Sequence, residues 1–330
     1  MKKFVCVLLL LCLAFTPGCG KTPEDDEQEI GNLITVGFSQ VGAESDWRAA
    51  NTKSMQESLS EASGFELYFN DAKQNQDTQI KAIRTFIQQQ VDYIVLAPVT
   101  ESGWESVLEE AAAAGIPVII VDRQVDVSNP DLYCSWVGSD FRKEADMAVE
   151  WLETELKRQG RDEEEINILH LQGTMGATAQ IQRSRGLEVG VGKNMNWHIV
   201  SQLECEYTQA AAYEQTLKYL KKNRNIDVIY SENDNMTFGA MEAMDELGIT
   251  YGLEGDVMII SFDAVHSALE NCINKKINLC VECNPLHGPR VITIIRQLEN
   301  GITPSKLAYV PETCFDARTI TQAQIDSRTY

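Results

Sequence analysis

From residue 33 onward the chain alternates between two textures. Apolar, β-branched runs of 5–8 residues are each followed by an amphipathic stretch of 12–20 residues. The strand candidates are LITVGFSQ (33–40), FELYFN (65–70), DYIVLAP (92–98), PVIIVD (117–122) and YCSWVGS (133–139). A second series follows: INILHLQG (166–173), HIVSQLE (198–204), DVIYSEN (227–233), VMIISFD (257–263) and INLCVEC (277–283), with KLAYVPE (306–312) as a further short strand. Most runs are apolar nearly throughout instead of alternating. That pattern predicts strands buried on both faces, hence parallel sheets covered by helices.

The intervening stretches carry the helical period. QDTQIKAIRTFIQQQ (76–90) sets Ile80, Ile83, Phe86 and Ile87 on one stripe. ESVLEEAAAAG (105–115) stops at a glycine, a common helix terminator. NDNMTFGAMEAMDELG (233–248) keeps Met236, Ala240, Met241, Met244 and Leu247 on one face, which reads as core. FRKEADMAVEWLETELKRQGRDEEE (141–165) opens the second series. Repeated β–α units of this kind predict an α/β fold of two doubly wound parallel-sheet lobes. No low-complexity linker separates the series, so the expected joint is a hinge of several short crossings, suited to a closing cleft. The expected division is 33–139 plus 285–310 for one lobe and 140–284 plus 311–330 for the other.

The first residues read differently. MKK precedes an apolar run of 12, FVCVLLLLCLAF (4–15), too short to span a bilayer and suited to a signal peptide over 1–18. Gly18 before Cys19 resembles a lipobox, although Thr16 stands where leucine is usual. The expectation is therefore lipidation at Cys19, with plain secretion second, and an acidic tether over 19–32 containing KTPEDDEQE (21–29). Such a protein would reach the membrane through that lipid only, on the outer face of the cytoplasmic membrane or in the periplasm.

The 330 residues are 44% hydrophobic, enough for two domains. Formal net charge is −21, and loss of Lys2 and Lys3 with the signal would take it near −23. So acidic a surface argues against nucleic acid as a partner. Cys134, Cys205, Cys272, Cys280, Cys283 and Cys314 would remain in the mature chain, and export permits disulfides among them. CVEC (280–283) lies in a strand-like run, away from the helix N-terminus where a redox CxxC gains its low pKa, and a second close Cys/His pair is absent. Neither redox activity nor a metal nor any other cofactor is expected. His170 and His198 read as packed residues of strands.

Ligands of parallel α/β sheets bind at the carboxyl ends of the strands. There the sequence offers Gln40, Glu44, Trp47 and Arg48 after the first strand and Asp122-Arg123 at the end of the fourth. In the second series it offers Arg183 and Arg185 after LHLQG, Tyr207 after SQLECE, Glu232-Asn233-Asp234-Asn235, Asp263, and Glu282 with Asn284. Each has a structural alternative. Asp46 could cap a helix whose Trp47 packs inward, Asp234 or Asn235 could cap another, and Asp122 with Arg123 could be a plain ion pair. Gathered at one edge, however, planar bidentate groups beside an indole and a phenol suit a sugar. Asp, Asn and Arg satisfy hydroxyls in pairs, and an indole covers a C–H face.

VGFSQVGAESDWRAAN, PVIIVDRQVDV, LQGTMGATAQIQRSRG, NDNMTFGAMEA and SFDA together resemble the type I periplasmic sugar-binding proteins, substrate receptors of ABC transporters, over residues 33–330. VGFSQVG.ESDWRAA, IKAIRTFIQQQVDYIVLAPV, SGW (102–104) and LQGT.GA are similar to the galactofuranose receptors of that family. By that resemblance Asp122 and Arg123 grip ring hydroxyls, and Arg183 reaches from the opposite lobe. Tyr207, Asn233 and Asp263 line the second wall. Trp47 stacks on the sugar with Glu44 and Arg48 beside it. Ala97 stands where ribose receptors have asparagine, Trp47-Arg48 replaces their phenylalanine pair, and Cys283 replaces their hinge glutamine. These departures point from ribose to a hexose, in a furanose form.

The implied function is an extracytoplasmic, monomeric receptor that binds a monosaccharide and delivers it to an ABC permease. A receptor handing a sugar or quorum signal to a membrane histidine kinase uses the same fold. An exported glycoside hydrolase would need two carboxylates flanking the scissile bond, for which Glu44, Asp122 and Asp263 could be imagined. Arginines beside carboxylates lower their pKa, the wrong direction for a general acid. A repressor with these lobes would need a helix-turn-helix where this chain has its apolar leader.

Overall fold

The computed structural model describes residues 33–330. The expected signal peptide, the expected lipidation at Cys19 and the expected acidic tether fall outside the described residues. The first half of the fold runs β1 (Ile34–Gln40), α1 (Asp46–Ser58), β2 (Phe65–Asp71), α2 (Gln76–Gln89), β3 (Tyr93–Leu96), α3 (Glu105–Ala113), β4 (Val118–Val121) and β5 (Ser135–Gly138). The second runs α4 (Phe141–Gln159), β6 (Ile166–Gln172), α5 (Thr178–Lys193), β7 (Trp197–Glu204), α6 (Gln209–Leu220), β8 (Val228–Ser231), α7 (Asp234–Leu247), β9 (Met258–Asp263), α8 (His266–Ile273) and β10 (Leu279–Glu282). The chain closes with α9 (Gly288–Glu299), β11 (Leu307–Tyr309), β12 (Cys314–Asp316) and α10 (Gln322–Asp326).

The strands form two sheets of six, in the orders β11-β5-β4-β3-β1-β2 and β12-β10-β9-β8-β6-β7. Every pair is parallel except β10 with β12. The two doubly wound lobes expected from the alternation are there, and burial explains them. β3, β4, β5, β8, β9 and β10 are buried at every position. Along β3 the side chains part to two cores: Val95 packs with Val36, Phe38 and Ile119, whereas Ile94 and Leu96 pack with Ile83, Leu108 and Ile120. A strand with helices on both faces is apolar along most of its length, and the polar residues it keeps, such as Ser231, Asp263 and Glu282, fall mainly at its carboxyl end. The edge strands β2 and β7 carry exposed positions along their length, because only their inner neighbour shields them.

The chain passes between the sheets three times: after β5, between β10 and α9, and between β11 and β12. These short crossings bring the sheets' carboxyl ends face to face.

Several local expectations are corrected. Ser45, not Asp46, is the N-cap of α1, accepting from the Arg48 N–H at 3.1 Å, and Asp46 is the first helical residue. β12 has no counterpart in the pattern, since three residues are too short to show a period. His198 is not packed: its side chain is 47% exposed and pairs with Glu165. His170 is fully buried against Glu232 at 2.9 Å. Cys134, Cys205, Cys272, Cys280, Cys283 and Cys314 are all free thiols.

Candidate functional site

A small cavity, with about 30 Å³ of room for a water-sized sphere, lies between the carboxyl ends of the two sheets. Glu44, Trp47, Arg48, Asp122, Arg123, Arg183, Tyr207, Asn233 and Asp263 all line it. Residues 219 positions apart in the chain, Glu44 and Asp263, therefore share one enclosure. Ser45, Phe141, Ala179 and Cys283 complete the lining. Phe141 and Ala179 gave no sequence signal, because an apolar residue in a helix's first turn reads as core. Arg185 points away and pairs with Glu188 on the surface, and Glu282 binds Arg328 instead of facing the cavity.

One wall comes from the first sheet. The Arg48 guanidinium bridges Glu44 at 2.9 Å and Asp122 at 2.6 Å, and donates to Gln40 Oε1 at 3.2 Å. Arg123 donates to the Val99 carbonyl at 2.6 Å and stands 3.7 Å from Glu44 and 3.9 Å from Asp122. Burial alone would raise the Asp122 carboxyl, but the charges of Arg48 and Arg123 outweigh it and hold it below its ordinary value. The Trp47 indole donates to the Cys283 carbonyl at 2.7 Å, tying α1 to the chain beyond β10.

The second wall is less saturated. Arg183 donates to Glu144 at 2.7 Å and to the Glu232 carbonyl at 2.5 Å, but its Nη2 has no hydrogen-bond partner and stands 3.6 Å from Asp263. The Tyr207 hydroxyl is likewise buried and unpartnered. Asn233 caps α7 through Oδ1 and donates to the Tyr207 carbonyl, so most of its hydrogen-bonding capacity serves the fold. Here the neighbouring arginine lowers a carboxylate as expected, but burial outweighs it. Burial pushes Asp263 well above the ordinary carboxylate range, Arg183 opposes, and Asp234 and Glu144 add to the rise.

The backbone is strained where it matters. Asp122, Tyr207 and Asp263 have φ of +63°, +62° and +108°, a region that costs L-residues about 1–3 kcal/mol each. Such strain persists only where packing over-determines it. Gly173 shows how: a Cβ there would lie 1.9 Å from the Tyr207 ring, so only glycine lets the phenol occupy its place.

The walls touch at the cavity's margins. The Asn235 amide accepts from the Asp46 N–H at 3.0 Å and donates to its carboxylate at 3.3 Å. Gln124 N–H donates to Thr178 at 2.7 Å, Glu101 N–H donates to the Gly176 carbonyl at 3.0 Å, and the Arg123 guanidinium lies 5.3 Å from the Tyr207 ring centre. The lobes are thus closed on one another.

Comparison with known proteins agrees with this architecture. The galactofuranose-binding protein YtfQ of Escherichia coli (strain K12) is 35% identical over 286 residues, covering 86% of this chain and 87% of its own. A crystal structure from Mycobacterium smegmatis in complex with β-D-fucofuranose superposes with a TM-score of 0.83 at 38% identity, covering 89% of this chain and 93% of the other. The binding component of the arabinose ABC transporter of Shewanella sp. ANA-3, bound to L-arabinofuranose, gives 0.82 at 36%, covering 89% and 95%. Residues 36–287 match the periplasmic binding protein domain. With two sheets closing on one buried polar cavity, the chain belongs to the periplasmic binding protein family, whose members are substrate-binding proteins and not enzymes.

Proposed function

We propose that the protein binds a monosaccharide in its furanose form, galactofuranose or a close relative, and delivers it to the permease of an ABC importer. The observation that carries this reading is the set of buried polar atoms left without partners: Glu44 Oε2, Arg183 Nη2 and Tyr207 Oη. An unsatisfied buried polar group costs about 1–3 kcal/mol, so three around one small cavity describe a site built for a ligand that supplies hydroxyls. An acceptor, a donor and a group that does both suit a polyol, and Trp47 supplies an apolar face for its C–H surface. The relatives that carry furanoses favour the five-membered ring.

In this reading Glu44, Arg48, Asp122 and Arg123 form the first wall, and Arg183, Tyr207, Asn233 and Asp263 the second. A sugar touching both favours the closed arrangement, because only differential affinity moves such an equilibrium. The lobe limits expected above make the three crossings the hinge. A lipid on Cys19 would hold the monomeric receptor beside its permease.

The test is a thermal-shift screen of purified protein against galactofuranose, arabinofuranose and fucofuranose, with methyl pyranosides and ribose as controls. A ligand that prefers the native state raises the melting temperature. Furanoses should do so, and Trp47→Ala should weaken their binding at least tenfold, a loss of ~1.4 kcal/mol. No shift with any furanose, or a preference for the locked pyranosides, would overturn the reading.

A further inference from the structure

We propose that Glu144, Cys283 and Glu312 form a binding site for one zinc-class divalent cation at the hinge. A carboxylate oxygen of Glu144, the Cys283 sulfur and a carboxylate oxygen of Glu312 lie within 4.8 Å of one another. Tetrahedral zinc with oxygen at ~2.0–2.2 Å and sulfur at ~2.3 Å needs donors about 3.3–3.6 Å apart, so a contraction of about an ångström closes the set. Three protein donors leave a fourth position for water. A thiolate with two carboxylates selects a borderline cation over the hard magnesium or calcium.

The independent observation is Glu144 itself. Its side chain is fully buried, one oxygen holds Arg183, and the other has no hydrogen-bond partner among the described residues. Glu144 pairs with the Arg183 guanidinium at 2.7 Å, while the Cys283 sulfur and a Glu312 carboxylate oxygen lie beside it with no second cationic side chain paired to them among the described residues. Ionised, the three donors face one guanidinium and leave two negative charges, which a divalent ion neutralises. Binding releases the displaced protons to solvent. The surroundings orient the donors as an outer sphere does: Ser139 donates to Glu312 and lies 3.2 Å from the Cys283 sulfur, and the Asn284 N–H donates to Glu312 at 2.8 Å. An adjoining cavity lined by Asp140, Glu144 and Glu312 provides an entry path.

The position gives the site its consequence. Each crossing between the sheets contributes: Glu144 begins α4 after the first, Cys283 belongs to the second, and Glu312 to the third. A bound cation would tie the three together, and its ligand Glu144 also holds Arg183 in the cavity. Metal binding does not depend on the sugar reading.

The test uses the purified full chain, stripped with chelator and titrated with zinc alone, with cadmium as a spectroscopic probe. One equivalent should bind, raise the melting temperature and, with cadmium, produce a thiolate-to-metal charge-transfer band. Cys283→Ser should abolish the band, and Glu312→Gln should weaken zinc at least tenfold. If Cys283→Ser fails to fold, the part-exposed Glu312→Gln decides alone. Absence of saturable binding, or binding by Glu312→Gln equal to that of the parent, would overturn the proposal. So would a cadmium band that survives in Cys283→Ser, since it would place the metal on another thiol.

Discussion

The two walls of the cavity are built on opposite principles. On the first-sheet side the charges answer one another. Arg48 saturates Glu44 and Asp122, Arg123 backs both, and a single oxygen of Glu44 is left over. On the second-sheet side Arg183 and Tyr207 each keep an unpartnered polar atom, and Asp263 is pushed toward its neutral form. The first wall is a nearly complete ion network with one unpartnered oxygen. The second is unfinished and gains most when a hydroxylated ligand arrives. Stability and affinity should therefore separate between the walls, which mutation can check.

The largest effect is expected from Arg48→Met. It leaves Glu44 and Asp122 buried with only the more distant Arg123 as counter-charge, and breaking such a network costs about 3–5 kcal/mol. Denaturant unfolding of the ligand-free protein measures it, and a loss below ~1 kcal/mol would show that the first wall is not a structural unit.

Next comes a pH effect behind that wall. His287 is fully buried, its Nδ1 accepts from the Asn51 amide at 3.2 Å, and it meets Trp47 edge-on. Burial lowers its pKa to about 4, Asp122 opposing and Arg48 assisting. The folded protein keeps the ring neutral while the unfolded chain takes up a proton below ~6.5. The His287 contribution is thus complete above pH ~6.5 and falls by on the order of 3 kcal/mol as pH drops toward 4. Unfolding curves across that window should steepen in the parent and flatten in His287→Gln. Equal pH slopes in both would remove His287 from the account.

Tyr207→Phe sharpens the contrast. Deleting an unpartnered hydroxyl should leave the free protein as stable as before or slightly more so. It should weaken the furanose identified by the thermal screen about five- to tenfold, ~1 kcal/mol. Calorimetric titration beside an unfolding curve reads both, and a stability loss without an affinity loss would reverse the assignment of the walls. The smallest effect belongs to the margin. Asn235→Ala removes the two hydrogen bonds to Asp46, worth about 0.5–1 kcal/mol, and should speed ligand release two- to fivefold with little change in capture. A stopped-flow experiment in which release is unchanged would take this pair out of the closed state's support.

The lining was legible in the sequence wherever a residue stood at the carboxyl end of an apolar strand, because parallel strands bring those ends to one edge. Asp122, Asp263 and Tyr207 were found that way. The groups that hold them were not. Glu144 lies 39 residues from Arg183 and reads as an ordinary acidic residue of an amphipathic helix, yet it is the arginine's ion-pair partner. Cys283 drew notice as part of CVEC and as a departure from a hinge glutamine, not as a partner of Glu144, and Glu312 drew none. Nothing local distinguishes a carboxylate facing water from one facing another chain segment.

By itself the sequence determined the two sheets, the order of their strands' burial and the edge at which polar groups collect. Hydrophobic periodicity is a local property, and burial on two faces leaves it written in every strand. Only the tertiary structure decided which charges pair, which polar atoms stay unpartnered and which three segments meet at the hinge. Pairing depends on distances of a few ångströms between residues hundreds of positions apart, and no local pattern encodes those.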